Sequence, residues 1–239
     1  MQFSRLTHPR QWLSGLILLL VFSSLRSKAQ EGWLWQWEPT LSYTREVSKR
    51  WVANAQTTAQ QSLLPRSELN SGRRYHFENV QLQLFGTYHW RTHLKLTGGY
   101  SFRINDPIES LGSHNHRLME QLTLLSYTGK YRWAGRLRVE QRFQDQGYIN
   151  RWRYRISLDA PLNGEELNPG EKYLVASDEW LFSFNSQQHQ HQNRLYVGVG
   201  WYTINQQKLE VGLQYRIDKI GSTALKNILW LSTAFYWSK

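Results

Sequence analysis

Two neighbouring segments, Arg136-Leu-Arg-Val-Glu-Gln-Arg142 and Arg151-Trp-Arg-Tyr-Arg155, put six arginines and one glutamate on alternate positions. A guanidinium holds five N–H donors in a planar fork that fits the oxygens of a carboxylate or a phosphate. Arg136, Arg138, Glu140, Arg142, Arg151, Arg153 and Arg155 therefore have two chemical uses. They can bond carboxylates of their own chain and brace a wall, or they can bind or pass small anions such as phosphate, acidic sugars or carboxylates. Arg194 and Arg216 extend the positive set, and Asp178, Glu179, Glu210 and Asp218 are the acids available to neutralise it.

The remaining chemistry-bearing residues are sparser. His114-Asn-His116 and His189-Gln-His191 each set two imidazoles two residues apart, a spacing zinc or copper can use, in stretches that read as polar loops. Ser101, Ser126 and His93 are residue types that a lipid- or lipopolysaccharide-modifying barrel hydrolase or acyltransferase would need, but no motif links them. The chain has no cysteine, which excludes disulfides, thiolate metal sites and a catalytic thiol. Phosphate-loop, dinucleotide and zinc-protease fingerprints are missing, and nothing in the pattern calls for a cofactor.

Alternate spacing of this kind belongs to strands. A helix would set Arg151 and Arg155 on one face and Arg153 nearly opposite, whereas a pleated strand puts all three on one side and Trp152, Tyr154 and Ile156 on the other. The same period of two runs through Val80–Trp90, Leu94–Phe102, Leu137–Phe143 and Leu209–Ile217. Turn residues separate candidate strands near 33–47, 49–60, 74–90, 92–104, 115–130, 132–145, 148–160, 172–185, 192–205, 207–219 and 225–238. Short connections alternate with longer ones, and Trp51, Tyr88, Trp90, Tyr131, Trp133, Trp201 and Tyr202 gather on the short side as one aromatic girdle.

These features predict an all-β fold, an antiparallel up-and-down transmembrane barrel. Eleven candidates have the wrong parity for such a barrel, so twelve strands are expected, with ten as the alternative. An arginine turned toward lipid near the midplane costs ~2–4 kcal/mol, so the ladder must face an enclosed aqueous lumen. With Gln146-Gly147 as a two-residue turn, Arg142 opposes Arg151, Glu140 opposes Arg153 and Arg138 opposes Arg155. A loop at 205–207 likewise sets Arg194 opposite Asp218.

The N-terminus reads as an address. Arg5 and Arg10 precede the apolar run Leu13–Phe22, and Ser27-Lys28-Ala29 offers a cut after Ala29, the layout of a secretory signal peptide. The expected organisation is a signal peptide at 1–29 and a barrel domain at 30–239. Cleavage removes four basic residues and no acid, leaving 25 basic against 18 acidic residues, a net +7. Forty per cent hydrophobic residues exclude a disordered chain. In an exported barrel a nucleic-acid role for the positive balance is not expected. A soluble secreted barrel, charged face outward, has the same alternation and is the competing architecture.

Four stretches taken in order are specific: Arg136–Arg142, Arg151–Ile156, Ser177-Asp-Glu-Trp180 and Gln192-Asn-Arg-Leu195, together with Leu41-Ser-Tyr and Ser48-Lys-Arg-Trp51. They resemble the uncharacterised outer-membrane family called domain of unknown function 2490, found mostly in Bacteroidota. The resemblance covers most of the mature chain and implies a β-barrel in the outer membrane of a Gram-negative cell. Its surroundings would be outer-membrane lipid, lipopolysaccharide and the outer-membrane assembly machinery. It implies no activity. Phe235 and Trp237 share a face of the last strand, as in strands that this machinery recognises, although the chain continues through Ser238-Lys239.

Overall fold

The computed structural model describes residues 34–62, 76–108, 113–145, 147–185, 189–203, 205, 207–221 and 225–239. They belong to the unit Trp33–Lys239, and the expected signal peptide at 1–29 lies outside the described residues. The alternating segments become eleven strands: β1 (Leu34–Glu46), β2 (Trp51–Ser62), β3 (His76–Arg91), β4 (Leu94–Asn105), β5 (His114–Thr128), β6 (Tyr131–Gln144), β7 (Gly147–Pro161), β8 (Lys172–Phe184), β9 (His189–Tyr202), β10 (Gln207–Ile220) and β11 (Lys226–Ser238). Among the described residues no helix forms. Each strand pairs antiparallel with its neighbours in sequence, and the sheet closes where β1 meets β11.

The expected count of twelve, or ten, is corrected to eleven. That expectation assumed antiparallel pairing all the way round, which demands an even number. Here β1 and β11 run parallel, from Leu34↔Ile228 to Thr44↔Ser238, so an odd number closes. Two registers also differ from expectation. β6 and β7 close on Gln144↔Gly147, which sets Arg138 opposite Arg153, Glu140 opposite Arg151 and Arg136 opposite Arg155. Gly147 takes φ 114°, open to glycine, and serves as the residue after the turn rather than inside it. β9 and β10 set Arg194 opposite Arg216, with Asp218 opposite Gln192. Both slips are of two residues, so every side chain keeps its face.

The polarity of the two faces is inverted relative to a soluble barrel. Leu82, Leu84, Leu118, Leu137, Val197, Val211 and Leu213 are exposed on the outside with Trp152, which is 50% exposed, whereas the Arg153 side chain, 12% exposed, points inward. Two carboxylates, Glu120 and Asp178, interrupt the apolar exterior on these strands' outward parity. At the end with mostly short turns the outward aromatics are Trp51, Tyr88, Trp90, Tyr131, Trp133 and Trp201, joined by Tyr43 and Trp237. Tyr202 leaves the expected girdle, because its parity turns it into the lumen mouth. A second girdle occupies the opposite end, where Phe143, Tyr148, Trp180 and Phe184 are exposed.

The histidine pairs belong to that second girdle. They lie on β5 and β9, not in loops: His116 sits 2.7 Å from Tyr100 Oη through Nδ1, His114 stacks on Phe102, His191 meets Phe182 edge-on and His189 meets Phe184. The one long connection at the short-turn end, 162–171, is tied to β9 by Gly170 N donating to Tyr202 O and Tyr202 N donating to Glu171 O.

Candidate functional site

Alternation delivers the charged residues of eight strands to one enclosed region. Glu179, on β8, is fully buried and accepts from Arg136 of β6 at 2.5 Å and Arg153 of β7 at 2.6 Å, with Arg155 at 3.5 Å and Arg194 of β9 at 4.0 Å. Glu140, on β6, is 1% exposed and accepts from Arg142 and Arg153, both at 2.7 Å, with Arg138 at 3.9 Å. Arg153 uses one terminal nitrogen on each carboxylate and joins the two clusters. Arg138 also forks onto Gln121 Oε1 and lies 5.3 Å from the Phe85 ring of β3, a contact reaching across the lumen from β6. Buried Met119, Leu181 and Trp230 fill in around them, so the waist is packed with side chains.

The sequence-predicted ladder thus comes together, though along different cross-strand pairs. Arg194 joins Glu179, whereas Arg216 lies 4.0 Å from Asp218 and stacks 3.9 Å above the Trp230 ring. Asp178 is corrected as a neutralising acid: its parity turns it outward, where it accepts from Asn193 at 2.6 Å and from Trp180 Nε1. Glu210 faces inward but is taken by Tyr173 Oη, at 2.5 Å, near the short-turn end. Arg103 and Arg117 belong to the site and escaped the sequence reading. Arg117 is the lone charge on its strand's inward face and Arg103 shares its face only with the distant Lys95, so no repeat announces either; their parity with Ser101 and Asn115 was the available signal. Ser101 points inward without a hydrogen-bond partner and Ser126 points outward, so these hydroxyls and His93 do not converge. Among the described residues no three His, Asp or Glu side chains gather as a metal site.

Two cavities flank the waist. One, of about 410 Å³, lies toward the end with the longer connections and is lined by ten arginines: Arg103, Arg117, Arg136, Arg138, Arg142, Arg151, Arg153, Arg155, Arg194 and Arg216. The acids near them are Glu38, Glu140, Glu179 and Asp218. The other, of about 1030 Å³, opens at the short-turn end and is walled by tyrosines and carboxylates, including Tyr173, Tyr196, Tyr202, Asp159 and Glu210. Glu38, Gln56, Arg155, Gln214 and Tyr236 line both, so one layer of side chains divides them. Five buried arginine Nε atoms, on Arg136, Arg153, Arg155, Arg194 and Arg216, find no protein acceptor.

A closed β-barrel with an ionic interior and an apolar exterior is the class that the fold and lumen define. The chain belongs to the family described as Protein of unknown function (DUF2490), whose model matches residues 34–225. No curated protein and no solved structure matches it.

Proposed function

We propose that this protein is an integral outer-membrane β-barrel, exported through a signal peptide cleaved after Ala29, whose arginine-rich lumen is selective for anions. The observation that carries the reading is the sorting of the two faces: exposed leucine, valine and tryptophan outside, and inside, around the smaller cavity, ten arginines against four acids. Water would have to solvate a predominantly apolar exterior, which acyl chains solvate far more readily, and two aromatic girdles suit two headgroup boundaries. Strands of 12–16 residues exceed the 9–11 that a tilted strand needs to cross. No helix among the described residues is long and apolar enough to cross a membrane, and strands are the other route.

Inside, the carboxylates brace the wall and leave positive charge in excess, which favours anions over cations in any path past the single dividing layer. The test is conductance in planar bilayers under a potassium chloride gradient, together with carbonate extraction of native membranes. The expected reversal potential shows chloride preference, reduced by Arg153→Glu, and the protein stays in the carbonate pellet. Cation preference in folded protein, or release by carbonate, overturns the reading; release would favour a soluble barrel.

A further inference from the structure

Four arginines on consecutive strands β4–β7, Arg103, Arg117, Arg142 and Arg151, form one wall of the 410 Å³ cavity. Only Arg142 is matched to a carboxylate, forking onto Glu140 Oε2 through Nε at 3.0 Å and Nη2 at 2.7 Å. The others are held in place by neutral groups. Arg103 donates Nε and Nη2 to Gln81 Oε1 at 2.9 and 2.6 Å, Arg117 donates Nε to Asn115 Oδ1 at 2.8 Å, and Arg151 donates Nε to Ser183 Oγ at 2.7 Å. Arg117 and Arg151 are more than nine-tenths buried and line the cavity, and among the described residues the protein hydrogen bond of each is made through Nε.

That arrangement fixes each fork by its inner nitrogen and leaves the outer ones open to the cavity. Guanidinium groups withdrawn from bulk water are costly, and three cations in excess on one wall repel each other. Both penalties are relieved together by a ligand carrying several oxygens and more than one negative charge. Resting on the anion-selective lumen proposed above, we infer that this wall is a binding site for phosphate-class oxyanions, free phosphate or a small phosphorylated solute, entered from the end with the longer connections. A tetrahedral phosphate presents oxygens in several directions and can accept from forks on different strands. A monocarboxylate offers two coplanar oxygens and one charge. The cavity is of the size that holds a small solute. The opposite mouth sets Asp159, Glu165, Glu166 and Glu210 against Lys130, Arg132 and Lys208, so it lacks the arginine excess of this wall.

The test is isothermal titration of the full barrel, refolded in detergent micelles, with inorganic phosphate, pyrophosphate, acetate and chloride at matched ionic strength. Pyrophosphate should bind more tightly than phosphate, and acetate and chloride should give no saturable heat. Arg117→Gln and Arg151→Gln should each weaken pyrophosphate about tenfold or more, the range set by losing one charged hydrogen bond. Arg117→Lys, which keeps the charge and loses the fork, should fall between wild type and Arg117→Gln, while Lys208→Gln at the other mouth should leave binding unchanged. Heat-modifiable migration confirms that each variant is folded. No phosphate binding by folded wild type, or binding that both glutamine variants leave intact, overturns the site. Binding to phosphatidic-acid vesicles with none to free phosphate also overturns it, since lipid-borne phosphate would be held on the exterior. Loss of the site with chloride preference retained in bilayers leaves the lumen reading standing; loss of both removes the two together.

Discussion

Glu179 sits among four guanidinium groups with no water-exposed surface of its own, and its removal would strand Arg136, Arg155 and Arg194, which among the described residues pair with no other carboxylate. Taking one partner from a buried ion cluster typically costs about 3–5 kcal/mol, because the remaining charge stays desolvated and unpaired. Glu179→Gln keeps the shape and deletes the charge, so its urea midpoint in lipid vesicles should fall by that amount once converted through the denaturant slope. Arg194→Gln removes only the most distant of the four, and a loss below about 1 kcal/mol is expected. Equal effects for the two variants would mean that the cluster braces nothing and that the wall is held by its ladder alone. Glu140 and Glu179 are both joined to Arg153, so Arg153→Gln combined with Glu179→Gln should cost less than the sum of the single changes.

At the scale of elements, β8, β9 and β10 show how glycine makes room for rings laid flat on the inner wall. A Cβ on Gly200 would overlap the Tyr173 ring, and one on Gly212 would meet the Tyr196 ring. Gly200→Ala should displace Tyr173 from Glu210 and destabilise the barrel by about 1–3 kcal/mol, the usual range for overpacking. In a Tyr173→Ser background the same change should cost almost nothing; an undiminished cost would place the strain elsewhere. The element pattern was largely legible, because a period of two marks a strand irrespective of what it packs against. Registers were not: closing the hairpin on Gln144↔Gly147, rather than with a turn at Gln146-Gly147, shifts Arg138 from Arg155 to Arg153 while leaving every face unchanged, so alternation cannot detect the slip. For the same reason the cross-lumen contact between Arg138 and Phe85 left no trace in sequence spacing. Arg136–Arg155 stood out through repetition, Arg103 and Arg117 did not, and the His-containing girdle was hidden because polar residues near strand ends look like loops.

For the whole molecule the decisive feature is the parallel seam. An odd strand number makes the chain enter β1 at one end of the barrel and leave β11 at the other, and the parallel pairing there is slightly weaker per residue than the antiparallel pairs elsewhere. A twelfth strand between β1 and β11 would restore antiparallel closure, so the two architectures differ in whether Thr40 and Ala234 are neighbours. In the eleven-stranded barrel they are paired, and both line the larger cavity. Adjacent strands lie about 4.8 Å apart, and a twelfth would roughly double that separation. The chain contains no cysteine, so Thr40→Cys with Ala234→Cys introduces the only thiols. A thiol-reactive linker of single-strand reach should bridge this pair in the folded protein, and should not bridge Thr40→Cys with Ser177→Cys on β8. The bridged barrel has its weakest seam covalently closed, so it should keep its compact migration to a higher temperature than the unbridged form. A folded Thr40→Cys, Ala234→Cys protein that the linker fails to bridge would require a strand between β1 and β11, and with it a wider lumen than the arginine wall could fill.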